Sequence, residues 1–186
     1  LIFKKKFGEI AMYFGYQKHL MDTVLQYQAL GYSMALSKGK NITTHMPMPV
    51  SLGLDWDGVS IIMDKLVCVD FDTIDLDIGE ILPPTWKEKT RRGYHLFYRV
   101  PTGFVGQPKI GWKPNVDLLF YGTTSKFANC SLALGYGGTR DTPQRPWGKH
   151  VLVAPTNGYS MLYPEKPFAL AELPMAPSWL LKTIGN

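Results

Sequence analysis

Leu20, Val24, Leu25 and Leu30 recur at helical spacing and Gly31 supplies a C-terminal stop, which predicts a helix from Gln17 to Leu30. Beyond it the pattern changes to short β-prone runs between turn formers. Gly31 to Val50, interrupted by Pro47 and Pro49, reads as strand plus loop. Val59 to Met63 and Leu66 to Phe71 read as strands joined by a turn at Asp64-Lys65, which would make them a hairpin. Further strands are expected at Tyr94 to Val100, bounded by Pro101, and at Val116 to Tyr121, closed by Gly122. His150 to Ala154 and Tyr159 to Tyr163 follow, separated by the turn Pro155-Thr156-Asn157-Gly158. Pro174 to Leu180 reads as a loop entering a brief helix. Residues 122–148, rich in Gly, Thr, Ser and Asn, form a long loop of the kind that compact domains keep for function or mobility.

The run Val67-Cys68-Val69-Asp70-Phe71-Asp72 carries the most chemistry. Strand side chains alternate faces, so Asp70 and Asp72 share one side while Val67, Val69 and Phe71 take the other. Two anions on one rigid strand repel unless a positive charge sits between them, and a divalent cation is the common solution. Asp117 and His95 are single polar residues inside other apolar strands, where burial is costly unless polar groups share a site. Convergence of Asp70, Asp72, Asp117 and His95 is therefore expected, and three carboxylates suit two-metal chemistry.

Thr90-Arg91-Arg92-Gly93 precedes His95. Arg91 or Arg92 offers a planar fork for phosphate oxygens, and Gly93 admits a close approach by backbone or phosphate. The plainer alternative is a strand histidine satisfied by a neighbour. Asp75, Asp77 and Glu80 continue the acidic character toward Pro83-Pro84 as a loop or short helix, and read as a solvated face. Trp56, Trp86, Trp112, Tyr136 and Trp147 lie in expected loops, where an aromatic ring either stacks a nucleic-acid base or anchors the loop to the core.

Composition narrows the class. Apolar and aromatic content across the 186 residues is that of a globular protein, long enough for one large domain or two closely packed subdomains. The net charge of +5 favours polyanionic partners mildly, and Lys4-Lys5-Lys6 reads as a solvated end. Cys68 and Cys130 lack the spacing of a disulfide framework or zinc site, so Cys68 is expected as a small buried hydrophobe. No apolar stretch reaches the roughly 20 residues of a membrane span, nor is there a secretory signal, which suggests a soluble protein of a reducing compartment. A chain opening Leu1-Ile2-Phe3 reads as part of a longer protein.

Five segments in order carry a resemblance: Leu66-Val67-Cys68-Val69-Asp70-Phe71-Asp72, Leu82-Pro83-Pro84-Thr85, Thr90-Arg91-Arg92-Gly93-Tyr94-His95-Leu96-Phe97-Tyr98, Val116-Asp117, and Val153-Ala154-Pro155-Thr156-Asn157 with Tyr163 following. Together they resemble the bifunctional DNA primase/polymerase (Prim-Pol) group of the archaeo-eukaryotic primase (AEP) superfamily, from about Gly31 to about Leu180. The resemblance implies an α+β fold, with an RRM-like antiparallel sheet packed against a second small α/β unit and the active site in the cleft between them. Residues 1–15 would be an N-terminal segment and 16–182 the catalytic domain, within a larger replication protein.

The implied activity is DNA-directed primase and polymerase chemistry, a template-directed nucleotidyl transfer with Mg²⁺ or Mn²⁺. Asp70, Asp72 and Asp117 would hold metal. His95, with Arg91 or Arg92, would contact the phosphates of an incoming NTP or dNTP. Single-stranded or primed DNA would be the template, a helicase domain or protein a companion, and the cytoplasm of a prokaryotic host the setting, on a viral or plasmid replicon. Gly93 departs from the family's usual small hydroxylated residue. The basic loop residues Lys126, Arg140, Arg145 and Lys149 match no family position, and no Cys/His zinc module accompanies the motifs. A metal-dependent nuclease and a non-catalytic nucleic-acid or nucleotide-binding module remain as alternatives. A tyrosine-nucleophile replication initiator is disfavoured, because no His-x-His pair occurs.

Overall fold

The computed structural model describes residues 2–39, 41–45, 56–74, 78–120 and 150–185, with side chains for all of these except 2–14 and 41–45. The fold is α+β, with antiparallel sheets and, among the described residues, two helices. Helix α1 runs Ile2–Ala29, well before the expected start at Gln17, because no proline interrupts residues 2–16 and isolated glycines only weaken a helix. Among the described residues, no helix is long and apolar enough to cross a membrane.

Strands β1 (Met34–Lys38), β2 (Asn41–His45), β3 (Gly58–Ile62) and β9 (His150–Val153) form a four-stranded sheet in the order β2-β1-β3-β9. Strands β4 (Leu66–Phe71), β5 (Trp86–Lys89), β6 (Tyr94–Arg99), β7 (Lys109–Lys113), β8 (Val116–Phe120) and β10 (Ser160–Tyr163) form a six-stranded sheet, ordered β10-β5-β6-β4-β8-β7. Helix α2 spans Ser178–Gly185.

The expected hairpin of β3 and β4 does not form. β3 pairs with β1 and β9, and β4 with β6 and β8. The Asp64-Lys65 turn instead passes the chain from one sheet to the other. Both strands are buried on two faces, so each satisfies its backbone inside its own sheet, and a local turn signal cannot report that choice.

Three strands have no counterpart in the sequence reading: the single strand expected between Gly31 and Val50 is the pair β1 and β2, and β5 and β7 were not anticipated. Trp86-Lys87-Glu88-Lys89 forms β5, with Trp86 and Glu88 wholly buried and Lys89 exposed. Its four residues do alternate, but the polar composition masks the period. Among the described residues, β7 is an edge strand that pairs with β8 alone through an irregular register, and its residues are exposed or half-buried. Without an apolar face it leaves no pattern to read.

The six-stranded sheet carries a different core on each side. Val67, Val69 and Phe71 pack with Tyr98, Val116, Leu118 and Phe120 beneath Leu180 and Ile184 of α2. Leu66, Cys68, Trp86 and Phe97 face the other way, into a core shared with Leu20, Val24 and Tyr27 of α1 and with Met34, Leu36, Val59, Ile61, Val151 and Val153 of the smaller sheet. The alternation expected for β4 is therefore present, and Cys68 is the buried hydrophobe expected of it. Trp56 and Trp86 belong to this core. Trp86 stacks on Tyr27 at 5.3 Å, and Trp112 stacks on Trp179 at the same centroid distance. All three rings are thus packed against the protein. Tyr136, Trp147, Cys130, Asp75, Asp77 and the loop cations at 126, 140, 145 and 149 lie outside the described residues.

Candidate active site between the two sheets

Strand register places the polar residues in a single row. Asp117 of β8 lies opposite Asp70 of β4, Asp70 opposite His95 of β6, and His95 opposite Glu88 of β5. Opposed residues of antiparallel strands share a face, so all four side chains rise on the side turned toward the smaller sheet. The next row inward is Leu119, Cys68, Phe97 and Trp86, entirely apolar. The polar row thus begins where the inter-sheet core ends, and the side chains that are expensive to bury gather at its rim.

A cleft of about 510 Å³ opens over this row, lined by Asp70, Asp72, Thr90, Arg91, Arg92 and His95 from the large-sheet side. Gly39, Asp57, Leu152, Thr156, Asn157 and Tyr159 line it from the other side. Five of the six residues singled out in the sequence therefore meet in one cleft. Asp117 stands in the same row but does not line the cleft, and its Oδ1 accepts the Gly111 backbone N–H at 2.6 Å.

The turn between β5 and β6 is Thr90-Arg91-Arg92-Gly93. It is closed by Thr90 N–H to the Gly93 carbonyl at 3.0 Å and by Gly93 N–H to Thr90 Oγ1 at 3.0 Å. Two arginines are thereby presented at a turn tip beside the end of β4. Arg92 pairs with Asp72 at 2.7 Å. Arg91 crosses the cleft mouth, where its Nε donates to the Asn157 carbonyl at 3.3 Å and its side chain lies flat over Gly158. A Cβ at Gly158 would stand 2.7 Å from Arg91 Cγ, and its φ of +87° also favours glycine.

Gly93 serves a close approach, but the neighbour is backbone. A Cβ there would lie 1.9 Å from the Phe71 carbonyl oxygen. The small residue lets the Arg92-Gly93 turn lie against the chain between Asp70 and Asp72, and the space a hydroxyl would need is already filled.

The facing wall is the segment between β9 and β10. Thr156 Oγ1 accepts Val59 N–H at 2.9 Å and donates to the Val59 carbonyl at 3.2 Å, tying the Pro155–Gly158 turn to the start of β3. Tyr159 N–H donates to the Thr156 carbonyl at 2.8 Å, and the Tyr159 ring sits 5.9 Å from that of His95. Burial raises the Tyr159 hydroxyl above its usual pKa, so it is a hydrogen-bond donor at neutral pH.

Electrostatics single out Glu88, which the sequence reading passed over. Its side chain is 0% exposed, and burial pushes its carboxyl up to about 8 against partly offsetting contacts with Ala154 N–H and the Trp86 side chain. That N–H reaches Oε1 at 3.2 Å, while Oε2 makes no hydrogen bond of good geometry. His95 is 4% exposed, with Nε2 3.3 Å from Asp70 Oδ1 and Nδ1 unpartnered. The alternation of Trp86-Lys87-Glu88-Lys89 was the one signal that would have found Glu88. Thr156 and Asn157 fell inside a recognised motif, and Asp57 and Tyr159 had no pattern to mark them.

Among the described residues, no three His, Cys, Asp or Glu side chains form a ready-made metal-ligand group. The oxygen donors of Asp70 and Asp72 do share one cleft, and Asp70 directly opposes Asp117, a like-charge pairing that a cation would relieve. Mg²⁺ is commonly held by one or two carboxylates with substrate phosphates completing its shell, and this donor set fits that mode.

No protein-family model, curated protein or solved structure matches this chain.

Proposed function

We propose that the cleft binds a nucleoside triphosphate with Mg²⁺ or Mn²⁺ and performs template-directed nucleotidyl transfer on DNA, the chemistry of the Prim-Pol group. The observation that carries this reading is the convergence of Asp70, Asp72, His95, Arg91 and Arg92 on one cleft between two sheets. A six-stranded antiparallel sheet packed on a smaller unit, with polar groups at the seam, supports the corresponding two-unit AEP architecture.

Asp70 and Asp72 would hold the cation, with Asp117 one strand away as the third carboxylate through the oxygen that Gly111 leaves free. The bound ion would supply positive charge to the phosphate oxygens and favour the alkoxide form of an attacking 3′-hydroxyl. Arg92 would exchange its ion pair with Asp72 for phosphate oxygens as the carboxylate turns to its new partner. Arg91, spanning the cleft mouth, would close over the triphosphate and exclude water. His95 offers one further donor, pointed into the cleft by its buried ring. The net charge of +5 assists approach of an anionic template.

Primer extension and de novo synthesis on single-stranded DNA, with Mg²⁺ and with Mn²⁺, test the reading. Asp72→Ala is expected to lose at least about 10²-fold in rate, the scale of removing one electrostatic element of a transition state. Equal activity of the two proteins overturns it. DNA cleavage without added nucleotides indicates a nuclease instead. Unchanged Mn²⁺-nucleotide affinity after Asp70→Ala plus Asp72→Ala leaves only a binding module.

A further inference from the structure

Arg91 and Arg92 leave the same turn into different surroundings. Arg92 pairs with Asp72 at 2.7 Å, whereas among the described residues no carboxylate pairs with Arg91. Arg91 is exposed, and an exposed arginine ordinarily samples many rotamers, whose loss is a cost of binding. This one is held. Its Nε donates to the Asn157 carbonyl at 3.3 Å, and its stem fills the space that a side chain at position 158 would take. A Cβ at Gly158 would stand 2.7 Å from Cγ, 3.2 Å from Nε and 3.5 Å from Cδ of Arg91.

The surface that holds Arg91 is fixed without its help. Thr156 is tied to both backbone groups of Val59 through its hydroxyl, and it packs so closely on Gly58 that a Cβ there would lie 2.8 Å from Thr156 Cγ2. From behind, Tyr16 of α1 donates to the Asp57 carbonyl at 3.0 Å, with the Asn157 backbone N–H against its hydroxyl. The Asn157 peptide is thus backed by α1 and by the start of β3, and its carbonyl is offered to Arg91. With Nε engaged there, the two terminal nitrogens of the guanidinium keep their N–H groups, in the fork that matches two phosphate oxygens. The positive charge stands close enough to the Tyr159 hydroxyl to oppose the effect of burial on it, and Tyr159 and Arg91 both line the cleft.

We propose that Asn157 and Gly158 are the positioning residues of Arg91: the Asn157 carbonyl takes Nε, the missing side chain at Gly158 admits the stem, and the guanidinium is presented across the cleft mouth as the fork for a polyphosphate. Arg91 is then the preorganised cation of the cleft. Arg92 is the exchangeable one, released as Asp72 takes another partner. Glycine is required at position 158 for the stem of Arg91 as well as for the φ of +87°. The inference rests on the reading that the cleft binds a triphosphate, and deepens it by naming what orders the arginine beforehand.

The test is calorimetric titration of the full chain with inorganic triphosphate and Mg²⁺. Arg91→Ala is expected to weaken binding by about ten-fold or more, the scale of a lost hydrogen bond to a charged group. Gly158→Asn separates the two demands on that position, because asparagine tolerates a positive φ while its side chain takes the place of the Arg91 stem. It should weaken binding by roughly three- to ten-fold, the scale of ordering one long side chain. The double variant should bind no more weakly than Arg91→Ala alone, since Gly158 acts through Arg91. Wild-type affinity in a folded Gly158→Asn overturns the proposal, and so does a double variant that loses both factors in full. The ¹⁵N-detected Arg91 Nε–H signal, assigned by its loss in Arg91→Ala, gives a second reading that needs no ligand. A distinct Nε–H protected from solvent exchange is expected, and one that exchanges like a free arginine overturns the proposal even if Gly158→Asn fails to fold. Triphosphate affinities graded as expected, without nucleotidyl transfer, would count against the proposed function and leave this inference standing.

Discussion

Gly93→Ala puts the geometry of the cleft under direct strain. The added methyl carbon would stand 1.9 Å from the Phe71 carbonyl oxygen, 2.7 Å from the Phe71 carbonyl carbon and 2.8 Å from Thr73 N. All three are backbone atoms, and none can swing aside as a flexible side chain would. The segment they belong to is held by the ladders of β4 to β6 and β8, and by Asp72 N–H on the Asn115 carbonyl at 2.9 Å. The β5–β6 turn must therefore retreat by about 1.5 Å to reach ordinary contact near 3.4 Å. Overpacking costs roughly 1–3 kcal/mol, and rigid backbone on both sides argues for the upper end. With an unfolding entropy of about 2.1 cal/mol/K per residue over 186 residues, ~3 kcal/mol lowers Tm by about 8 °C. The same retreat moves Arg91 and Arg92 relative to Asp72, and a misplacement of about 1 Å can cost 10²-fold in rate. Differential scanning calorimetry reads the first effect and primer extension the second. Gly15→Ala is the control, since nothing lies within 4 Å of that position in α1, and alanine should raise Tm slightly. A Gly93→Ala protein melting within about 2 °C of wild type refutes the close-approach reasoning.

Glu88 should impose a pH dependence on stability. Its folded pKa of about 8 lies above the 4.5 of a free glutamate, so the folded state holds a proton that the unfolded chain releases. The contribution is full below about pH 4.5 and is lost as pH rises through about 8, on the order of 1 kcal/mol per pH unit in between. Urea unfolding from pH 5 to pH 8 should show this slope in wild type relative to Glu88→Gln, and parallel profiles would remove it. Trp86→Ala, which empties a fully buried site among Tyr27, Tyr32 and Phe97, should cost about 3–5 kcal/mol by urea unfolding. A loss below about 1 kcal/mol would mean that Trp86 is not a core residue. Arg92→Ala should leave Tm almost unchanged, because its pair with Asp72 is largely exposed, yet weaken nucleotide binding about ten-fold or more in a fluorescence titration. Wild-type affinity in that variant would exclude Arg92 from phosphate contact.

Residues whose identity follows from local chain physics were legible in advance. The two-residue period of Leu66 to Phe71 put Asp70 and Asp72 on one face because alternation is a property of any strand. The Pro155–Gly158 turn was legible because its residues favour it, and Thr90-Arg91-Arg92-Gly93 flagged itself by composition. α1 was anticipated only from Gln17, although Phe3, Phe7, Ile10 and Phe14 carry a helical spacing through its earlier turns, which glycines at 8 and 15 interrupt. β5 and β7 were missed because one alternates with lysines and the other is an exposed edge.

Neighbour relations were decided only in three dimensions. Nothing local tells β3 and β4 to part at Asp64-Lys65 and join different sheets, since that depends on which strands arrive to satisfy each backbone. The row Asp117, Asp70, His95 and Glu88 exists because three independent registers coincide, and a slip of one residue in any of them would turn a member to the opposite face. Glu88 is the clearest case. In the sequence it is one acid between two lysines, and only burial against the inter-sheet core makes it a neutral carboxyl beside a histidine. The sequence by itself determined which side chains can do chemistry and which way each faces along its own strand. The tertiary structure decided which of them meet, because register and sheet choice are set by contacts between segments far apart in the chain.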